Sequence, residues 1–365
     1  MNNASPNRMH YPALDGLRGI AILLVILYHN FSFIHFFNYG WLGVDLFFVL
    51  SGFLITEILI NTRDTRNYFK NFYIRRMLRI FPLYYFSLII ILVIFPAIKD
   101  FPFTFDFYVD NQLWFWFYLE NWLLIIKQWT YTHFVLNHFW SLAVEEQFYL
   151  IWPFVILWIK KPRYLLLLCF TILLFVISAR FYVWYYRETS YPVYQNIFLF
   201  TRIDGILIGA MLAIVKMINY NFLKKYSYIV IFGLAAVNFI FYFINKSEQF
   251  VFPYWAIVGY TTFAVIFALV AYEAINEKEK ILNFILNIPV LKFIGKISYG
   301  FYVFHWPVYL MLYKYVETWM KGLDLSTFNL KLSISLVLTF IGFLLSVMSY
   351  YTYERAWLKL KDRFV

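Results

Sequence analysis

An arginine and a histidine stand eleven residues apart in the first apolar segment, YPALDGLRGIAILLVILYH. An α-helix turns about 100° and rises about 1.5 Å per residue, so this spacing makes about three turns and roughly 16 Å. Arg18 and His29 therefore share one face, with Arg18 near one end of the predicted span and His29 deep inside it. An ionisable side chain inside a membrane helix is costly and is a functional candidate by default. The alternative is that His29 has a structural role only and is hydrogen-bonded between packed helices.

The second apolar segment, GWLGVDLFFVLSGFLIT, carries a carboxylate and a small polar spot. Asp45 and Gly52 are seven residues apart and share a face, and Ser51 beside Gly52 allows a ligand or a backbone to approach closely. Small residues also pack membrane helices tightly, which is the alternative explanation. A carboxylate within a span favours a cationic partner, so Asp45 is expected to have one.

Three arginines lie close together in YIRRMLRIFPLYY. Arg75 and Arg79 are i,i+4 neighbours on one helical face, with Arg76 beside them, at a predicted membrane boundary. Cytoplasmic loops are rich in cations, and this topological preference alone would explain the cluster. Arginine at every position additionally suits phosphate recognition, because the guanidinium group forms paired hydrogen bonds. Pro82 is expected to mark the point where an interfacial helix gives way to the next span.

Two adjacent carboxylates lie about two turns into the apolar segment HFWSLAVEEQFYLIWP. Buried carboxylates are costly unless they are paired or used in function. Neighbouring helical residues diverge by about 100°, so Glu145 and Glu146 cannot both face one site. Glu145 shares its face with Ser141 and Tyr149 and is the preferred candidate, although a structural ion pair is the alternative.

Two later segments add weaker candidates. TRIDGILIGAMLA places Arg202 and Asp204 near the outer boundary, next to a small-residue packing face. GKISYGFYVFHWPV places Ser298, Tyr302 and His305 within two turns, with Tyr302 and His305 nearly on one face. A second histidine inside a membrane segment is notable because the chain contains only 6 histidines.

The composition indicates what kind of structural element carries these residues. The chain has 365 residues, of which 63% are hydrophobic and 14% are charged, and its mean hydropathy is +0.66. These values indicate a polytopic membrane protein. The net charge of +11 reflects basic loops between apolar segments, and no nucleic-acid partner is expected. The single cysteine, Cys169, lies in an apolar run, so neither a disulfide framework nor a metal site is predicted.

We predict an all-α bundle of about ten transmembrane helices, forming one integral-membrane domain over residues 1–365. A span needs about 20 mainly apolar residues. The predicted spans are 17–36, 41–60, 80–98, 139–159, 164–184, 197–217, 227–244, 254–272, 298–318 and 330–350. The run 113–126 is too short for a span and is predicted to be a re-entrant or interfacial segment at the outer side.

Loop charges predict that both termini are cytoplasmic. Ten spans then place clusters of Lys and Arg in the inner segments 63–79, 160–163, 216–225, 278–296 and 355–363. The outer loops hold only scattered single cations, which are Lys99, Lys127, Arg187, Lys246 and Lys321. This asymmetry follows the positive-inside rule, and an eleventh span at 113–126 would destroy it. A multi-pass protein of the inner or plasma membrane is the resulting prediction.

Taken in order, six motifs resemble one family. They are the Arg-x10-His helix, GVDLFFVLSGFLI, RRMLRIFPLYY, SLAVEEQFY, RIDGILIGA and GKISYGFYVFHWPV. Together they resemble the membrane-bound acyltransferase family three, the bacterial integral-membrane O-acyltransferases that modify surface polysaccharides, lipopolysaccharide, peptidoglycan and some small acceptors. The resemblance extends from Tyr11 to about Glu354.

The resemblance implies ten spans and transfer of an acyl group from cytoplasmic acyl-CoA to a hydroxyl at or beyond the outer face. It carries Arg18 and His29 over as the essential pair, and Glu145 as the acidic residue of the fourth span. Arg75, Arg76 and Arg79 match the family's cluster for the acyl-CoA phosphates, and Ser51 is added as a donor-binding candidate. Some members also have an extracytoplasmic hydrolase-like domain. This chain ends at Val365 without one, so the membrane domain is expected to bind the acceptor alone or with a partner.

The resulting hypothesis is an O-acetyltransferase of the cell envelope, with acetyl-CoA as donor and a surface or lipid-linked glycan as acceptor. His29 is expected to be the catalytic base, or less favourably the acyl-accepting nucleophile, with Glu145 as its orienting partner and Arg18 on the donor. Asp45, Glu146, Arg202, Asp204, Tyr302 and His305 remain further candidates. The alternative is a secondary transporter or lipid flippase that uses buried His and Glu as a proton relay, although no inverted repeat supports it.

Overall fold

The computed structural model describes residues 11–99, 105–127, 135–186, 197–218, 220–244, 254–276, 280–361 and 363–364. Throughout these ranges every regular element is a helix, and no strand occurs in them. The predicted all-α class is therefore confirmed. All ten predicted spans lie within the described residues, whereas Arg187 and Lys246 of the predicted outer loops lie outside them.

In the described part of the chain, ten long helices form the body of the protein. They are α1 (Pro12–Asn30), α2 (Leu42–Thr62), α3 (Tyr68–Leu88), α4 (Trp140–Trp158), α5 (Pro162–Tyr186), α6 (Asp204–Ile218), α7 (Tyr220–Ile244), α8 (Tyr260–Asn276), α9 (Ser298–Met320) and α10 (Thr327–Ser349). Shorter α-helices are Phe95–Ala97, Asp106–Asp110, Gln112–Trp116, Glu120–Ile126, Leu199–Arg202, Lys280–Leu286, Pro289–Lys296 and Arg355–Lys361. Short 3-10 helices connect several of these helices: His35–Trp41, Asn137–Phe139 and Lys321–Leu323. Short π-helical segments do the same: Ile89–Ile94, Trp255–Gly259 and Tyr350–Glu354.

Among the described residues, seven helical segments are long and apolar enough to cross a membrane. They are Pro12–Asn30, His35–Thr62, Tyr68–Ala97, Pro162–Tyr186, Lys225–Ile244, Ile257–Asn276 and Thr327–Lys361. The predicted spans 139–159, 197–217 and 298–318 correspond to α4, α6 and α9, which are more polar or shorter. The chain is thus an integral membrane protein, while the count of ten spans stays a prediction.

The run 113–126 is broken into Gln112–Trp116 and Glu120–Ile126. Tyr118 between them has a φ of 55°, which ends the first helix in a left-handed turn. Gln147 of α4 holds this turn, because its side-chain amide donates to the Tyr118 carbonyl at 2.8 Å and to Asn121 Oδ1 at 2.9 Å. Neither helix is long enough to cross a membrane, and the outer position of this segment stays a prediction.

The first helix begins and ends earlier than the predicted 17–36. It begins at Pro12, a residue whose fixed φ suits the first helical position. It ends at Asn30, whose carbonyl accepts a hydrogen bond from Ser335 Oγ of α10 at 2.6 Å. A helix end needs such outside partners, and hydropathy does not detect them. His29 therefore lies in the last turn of α1 rather than deep inside a span.

The third helix continues through Pro82, which corrects the predicted boundary there. Pro82 lies inside α3. Membrane helices tolerate proline better than soluble ones do. Tyr299 Oη donates to the Ile80 carbonyl at 2.6 Å and Tyr353 Oη donates to the Pro82 carbonyl at 3.2 Å, so hydrogen bonds from neighbouring helical segments hold α3 around the proline. The arginine cluster and the following apolar segment therefore form one continuous helix.

Close packing of α2 against α6 explains the small residues of both helices. A Cβ atom on Gly52 would lie 1.9 Å from the Ile206 carbonyl oxygen, and one on Gly209 would lie 2.1 Å from the Val49 carbonyl oxygen. Only glycine allows these backbones to approach so closely. The packing interpretation of Gly52 is therefore confirmed, and Ser51 beside it faces in another direction.

Candidate active site

A cavity of about 300 Å³ lies among α1, α2, α3, α4 and α9. It brings together seven of the predicted site residues, which come from five separate helices. These residues are Arg18, Ser51, Arg75, Arg76, Arg79, Glu145 and Tyr302. The remaining candidates, His29, Asp45, Glu146, Arg202, Asp204 and His305, are not among the described residues that line it.

The cavity follows one face of α2. Val44, Phe47, Ser51, Leu54 and Ile58 all line it at helical spacing. These positions extend over about 21 Å of helix, at about 1.5 Å per residue. The cavity is therefore elongated. Following the predicted topology, we call the end near Ile58 the inner end and the end near Val44 the outer end.

Neighbouring helices lie in a fixed register along this cavity. Trp152 Nε1 donates to Thr56 Oγ1 at 2.8 Å, and the rings of Trp140 and Phe48 are 6.0 Å apart. The helices α2 and α4 are consequently parallel. Tyr302 of α9 lies near Phe47, with 6.5 Å between ring centroids, so Tyr302 belongs to the outer end.

Cations dominate the inner and middle parts of the cavity wall. Four arginines line it together with Lys361, and the carboxylates on the wall are Asp15 and Glu145. Arg18 forms an ion pair with Asp15 at 2.7 Å. Arg75 donates to the Phe364 carbonyl at 2.9 Å, which places the chain near its C-terminal end beside the inner mouth. This excess of guanidinium groups favours an anionic ligand.

The middle of the cavity contains a short chain of hydrogen-bonded side chains. Tyr149 Oη donates to Glu145 Oε2 at 3.0 Å, and Tyr149 also forms a short hydrogen bond with Ser51 Oγ. Glu146 is not among the described lining residues, and its buried Oε1 has no hydrogen-bond partner among the described side chains. The predicted divergence of the two carboxylates is confirmed, with Glu145 facing the cavity.

Beyond the outer end of the cavity, two histidines meet. His29 Nδ1 and His305 Nε2 are 2.8 Å apart, although the two residues are 276 positions apart in the sequence. His305 Nδ1 lies 2.8 Å from the Tyr302 carbonyl and 3.1 Å from the Phe301 carbonyl. The His29 ring also packs on Trp306, with 4.8 Å between ring centroids. Helices α1 and α9 thus position two imidazoles in direct hydrogen-bonding contact.

A third histidine, which the sequence analysis did not single out, completes this cluster. The ring of His138 is centred 5.2 Å from that of His305. The His138 carbonyl accepts hydrogen bonds from Tyr302 Oη at 2.6 Å and from Ser141 Oγ at 3.3 Å. Tyr302 and Ser141 both line the cavity. The signal was available in HFWSLAVEEQ, where this histidine comes three residues before Ser141.

The predicted pairing of His29 with Glu145 is wrong. His29 contacts His305, whereas Glu145 accepts from Tyr149 near the arginines. The expected position of His29, deep inside a span, relied on a first helix that reached residue 36, but α1 ends at Asn30. His29 therefore lies further towards the outer end than Glu145 does, and a neighbouring helix supplies its partner.

Two buried ion pairs lie outside the cavity. Arg202 contacts Asp45 at 2.8 Å, which confirms the expected cationic partner of Asp45, and Arg180 contacts Asp204 at 2.6 Å. Arg202 also stacks over the Tyr260 ring at 4.0 Å. Arg180 was not predicted as a partner, because it occurs within an otherwise apolar span. These pairs connect α2 with the short helix Leu199–Arg202, and α5 with α6.

The fold and the cavity together define an integral membrane protein with an elongated, arginine-lined cavity beside paired histidines. The acyltransferase family three domain model matches residues 11–351. The chain therefore belongs to this family and is an acyltransferase domain. The predicted family and enzyme class are confirmed, in preference to the transporter alternative.

The chain is similar to several curated bacterial proteins. It is 32% identical over 323 residues to the peptidoglycan O-acetyltransferase OatA of Listeria monocytogenes, covering 83% of this chain and 50% of that protein. It is 31% identical over 340 residues to the putative peptidoglycan O-acetyltransferase YrhL of Bacillus subtilis, covering 85% and 50%. It is 29% identical over 326 residues to the O-acetyltransferase OatA of Staphylococcus aureus, covering 84% and 52%. The chain spans about half the length of these relatives. No solved structure matches it.

Proposed function

We propose that this protein is a membrane-bound O-acetyltransferase that moves an acetyl group from cytoplasmic acetyl-CoA to a hydroxyl of a cell-envelope glycan. The observation that carries the proposal is the elongated cavity, with arginines along its inner part and a histidine pair beyond its outer end. Peptidoglycan is the glycan named for two similar proteins, and it is the first acceptor to test.

The arginines supply the donor site in this proposal. Acyl-CoA is an elongated thioester whose phosphates lie at one end. Arg75, Arg76 and Arg79 approach the cavity from one helix, so several guanidinium groups are available to one phosphate cluster. The pantetheine arm then lies along the face of α2 past Ser51, with the thioester directed towards the outer end. Arg18 lies between the arginines of α3 and the outer end and contacts the donor.

His29 supplies the base. Its neutral imidazole accepts the proton of the acceptor hydroxyl while the oxygen attacks the thioester carbonyl carbon. The new C–O bond forms as the C–S bond breaks. The leaving CoA sulfur takes the proton back from the imidazole, so that atoms and charge balance and the enzyme returns to its starting state.

The two ends of the cavity give the reaction a direction across the membrane. With cytoplasmic termini, the arginine end opens inwards and the histidine pair lies towards the outside, where the glycan is. Cysteine labelling in intact cells tests this orientation. After Cys169→Ala, an impermeant reagent should not label Arg163→Cys, and labelling of that position from outside would contradict the proposed topology.

The central test is acetyl transfer by the purified protein in detergent or liposomes. Wild type is expected to transfer radiolabelled acetyl from acetyl-CoA to glycan fragments, and acetyl-CoA is expected to raise its melting temperature. His29→Ala should keep that thermal shift and lose transfer. Absence of a thermal shift with acetyl-CoA, or full transfer by His29→Ala, would overturn the proposal. A label that stays on the protein without acceptor, and is lost in His29→Ala, would instead indicate the acyl-histidine route.

A further inference from the structure

The hydrogen bonds of His305 determine which of its nitrogens carries a proton. His305 Nδ1 faces the backbone carbonyls of Tyr302 and Phe301, at 2.8 and 3.1 Å. A carbonyl oxygen only accepts hydrogen bonds, so Nδ1 must be the donor. In a neutral imidazole the other nitrogen, Nε2, is then an acceptor.

The protonation of His305 also determines which nitrogen of His29 carries a proton. His29 Nδ1 lies 2.8 Å from the accepting Nε2 of His305, so Nδ1 of His29 carries the hydrogen and donates it. The lone pair of His29 is then left on Nε2. The backbone carbonyls of α9 therefore determine the tautomer of His29 on α1, through the imidazole of His305 that lies between them.

Burial separates the roles of the two histidines. His305 is 0% exposed, so it cannot reach an acceptor hydroxyl. His29 is partly exposed in the last turn of α1 and packs against Trp306 on one side. Of these two histidines, His29 is the one that is accessible to a substrate.

We propose that His305 is a positioning residue that holds His29 in the Nδ1–H tautomer and directs its Nε2 lone pair to the acceptor hydroxyl. This inference rests on the proposed function, because it assumes that His29 is the base. It replaces the orienting role that was expected of Glu145. In serine proteases, changing the residue that sets the tautomer of the catalytic imidazole lowers kcat by about 10⁴-fold.

The same geometry excludes a proton relay through His305. A relay requires Nδ1 to release its proton to a group that can carry it onward, and the carbonyls of Tyr302 and Phe301 cannot. The buried ring of His138 interacts with the backbone of Val303 and Tyr302, and backbone carbonyls cannot carry a proton onward. His305 therefore orients the imidazole of His29 and does not conduct protons.

Two conservative variants of His305 separate its two hydrogen bonds. In His305→Gln, the longer side chain places an amide oxygen near the position of Nε2 and keeps an acceptor for His29. In His305→Asn, the shorter side chain places an amide nitrogen near Nδ1 and keeps the donor to the carbonyls. We expect His305→Gln to stay within about tenfold of wild-type kcat, and His305→Asn to lose about 100-fold or more at unchanged KM for acetyl-CoA, since a positioned base contributes about 10²–10⁴-fold.

The outcomes distinguish this inference from the proposed function. If His29→Ala keeps transfer, the proposed function itself fails. If His29→Ala is inactive but His305→Asn keeps wild-type kcat, the positioning role is wrong while His29 remains the base. Equal losses in folded His305→Gln and His305→Asn would also contradict it, because an acceptor at that point would then not matter.

A measurement on the wild-type protein keeps the inference testable if the variants do not fold. Solid-state NMR of protein labelled with ¹⁵N-histidine reports which ring nitrogen is protonated. The His29 signal, identified by its absence in a His29→Gln sample, is expected to show a protonated Nδ1 and an unprotonated Nε2. The opposite tautomer would overturn the inference.

Discussion

The hydroxyl of Tyr302 lies 2.6 Å from that of Ser141, at the junction of the cavity and the histidine cluster. Tyr302 Oη also donates to the His138 carbonyl at 2.6 Å, and the Tyr302 carbonyl accepts from His305 Nδ1 at 2.8 Å. Tyr302 thus links the outer end of the cavity to the carbonyl that faces His305 Nδ1. Its hydroxyl contacts Ser141 and His138, whereas its carbonyl contacts His305.

Tyr302→Phe is expected to lower kcat by about tenfold and to leave acetyl-CoA affinity unchanged. The variant keeps the carbonyl that faces His305 but removes the hydrogen bonds to Ser141 and His138, each worth about 0.5–1.5 kcal/mol. A factor of ten in rate corresponds to about 1.4 kcal/mol. Steady-state kinetics with varied acetyl-CoA measure both quantities.

The matched control for Tyr302→Phe is Tyr68→Phe. Tyr68 is also buried and donates to a backbone carbonyl, that of Pro153 at 3.0 Å, but it does not line the cavity. Its loss should lower the melting temperature and leave kcat unaffected. Equal kinetic losses in both variants would indicate a general packing effect and contradict a specific role of Tyr302.

Arg79→Ala is expected to weaken acetyl-CoA binding by about 10- to 150-fold, since a hydrogen bond to a charged group contributes about 1.5–3 kcal/mol. Arg66→Ala removes an exposed arginine near the start of the same helix and serves as the control. Binding to wild type should also weaken as salt is raised, because part of the attraction is electrostatic. Equal affinities of both variants, measured by titration calorimetry, would exclude Arg79 from the donor site.

The sequence predicted much of this arrangement, and the parts that it missed share a physical cause. Apolar length and motif order located the helices and seven residues of one cavity wall, because a membrane span restricts where polar side chains occur. The sequence did not predict the partner of His29, since helical spacing within one segment does not fix how another helix is rotated against it. His138 and Arg180 were missed for a related reason, because only tertiary contacts reveal their partners.

The ion pair between Asp45 and Arg202 is expected to stabilise the bundle without taking part in transfer. Removing one member of a buried pair leaves an uncompensated charge and costs about 3–5 kcal/mol. Asp45→Leu alone should therefore lower the melting temperature more than the double variant Asp45→Leu/Arg202→Met does. Transfer per folded molecule should stay near wild type in the double variant. A double variant that is folded but inactive would show that the pair belongs to the catalytic machinery.

Glu145 and Glu146 provide a comparison between adjacent carboxylates. Glu145 faces the cavity and accepts from Tyr149 at 3.0 Å, whereas Glu146 lies outside the described cavity wall with a buried, unpartnered oxygen. Glutamine keeps the size of either side chain and removes only its ionisable character. Glu145→Gln is expected to lower kcat/KM by about tenfold or more, a loss of about 1.4 kcal/mol in transition-state stabilisation, because the negative charge beside the arginines disappears.

Glu146→Gln should leave kcat/KM within about threefold of wild type, because Glu146 does not line the described cavity. The variant should also fold, since burying a neutral amide costs less free energy than burying a carboxylate. Both variants are measured in the same radiolabelled acetyl-transfer assay, with melting temperatures to confirm folding. The reverse order of effects, with Glu146→Gln the more damaged enzyme, would show that the carboxylate outside the cavity is the functional one. Equal and small effects would show that neither carboxylate contributes its charge to transfer.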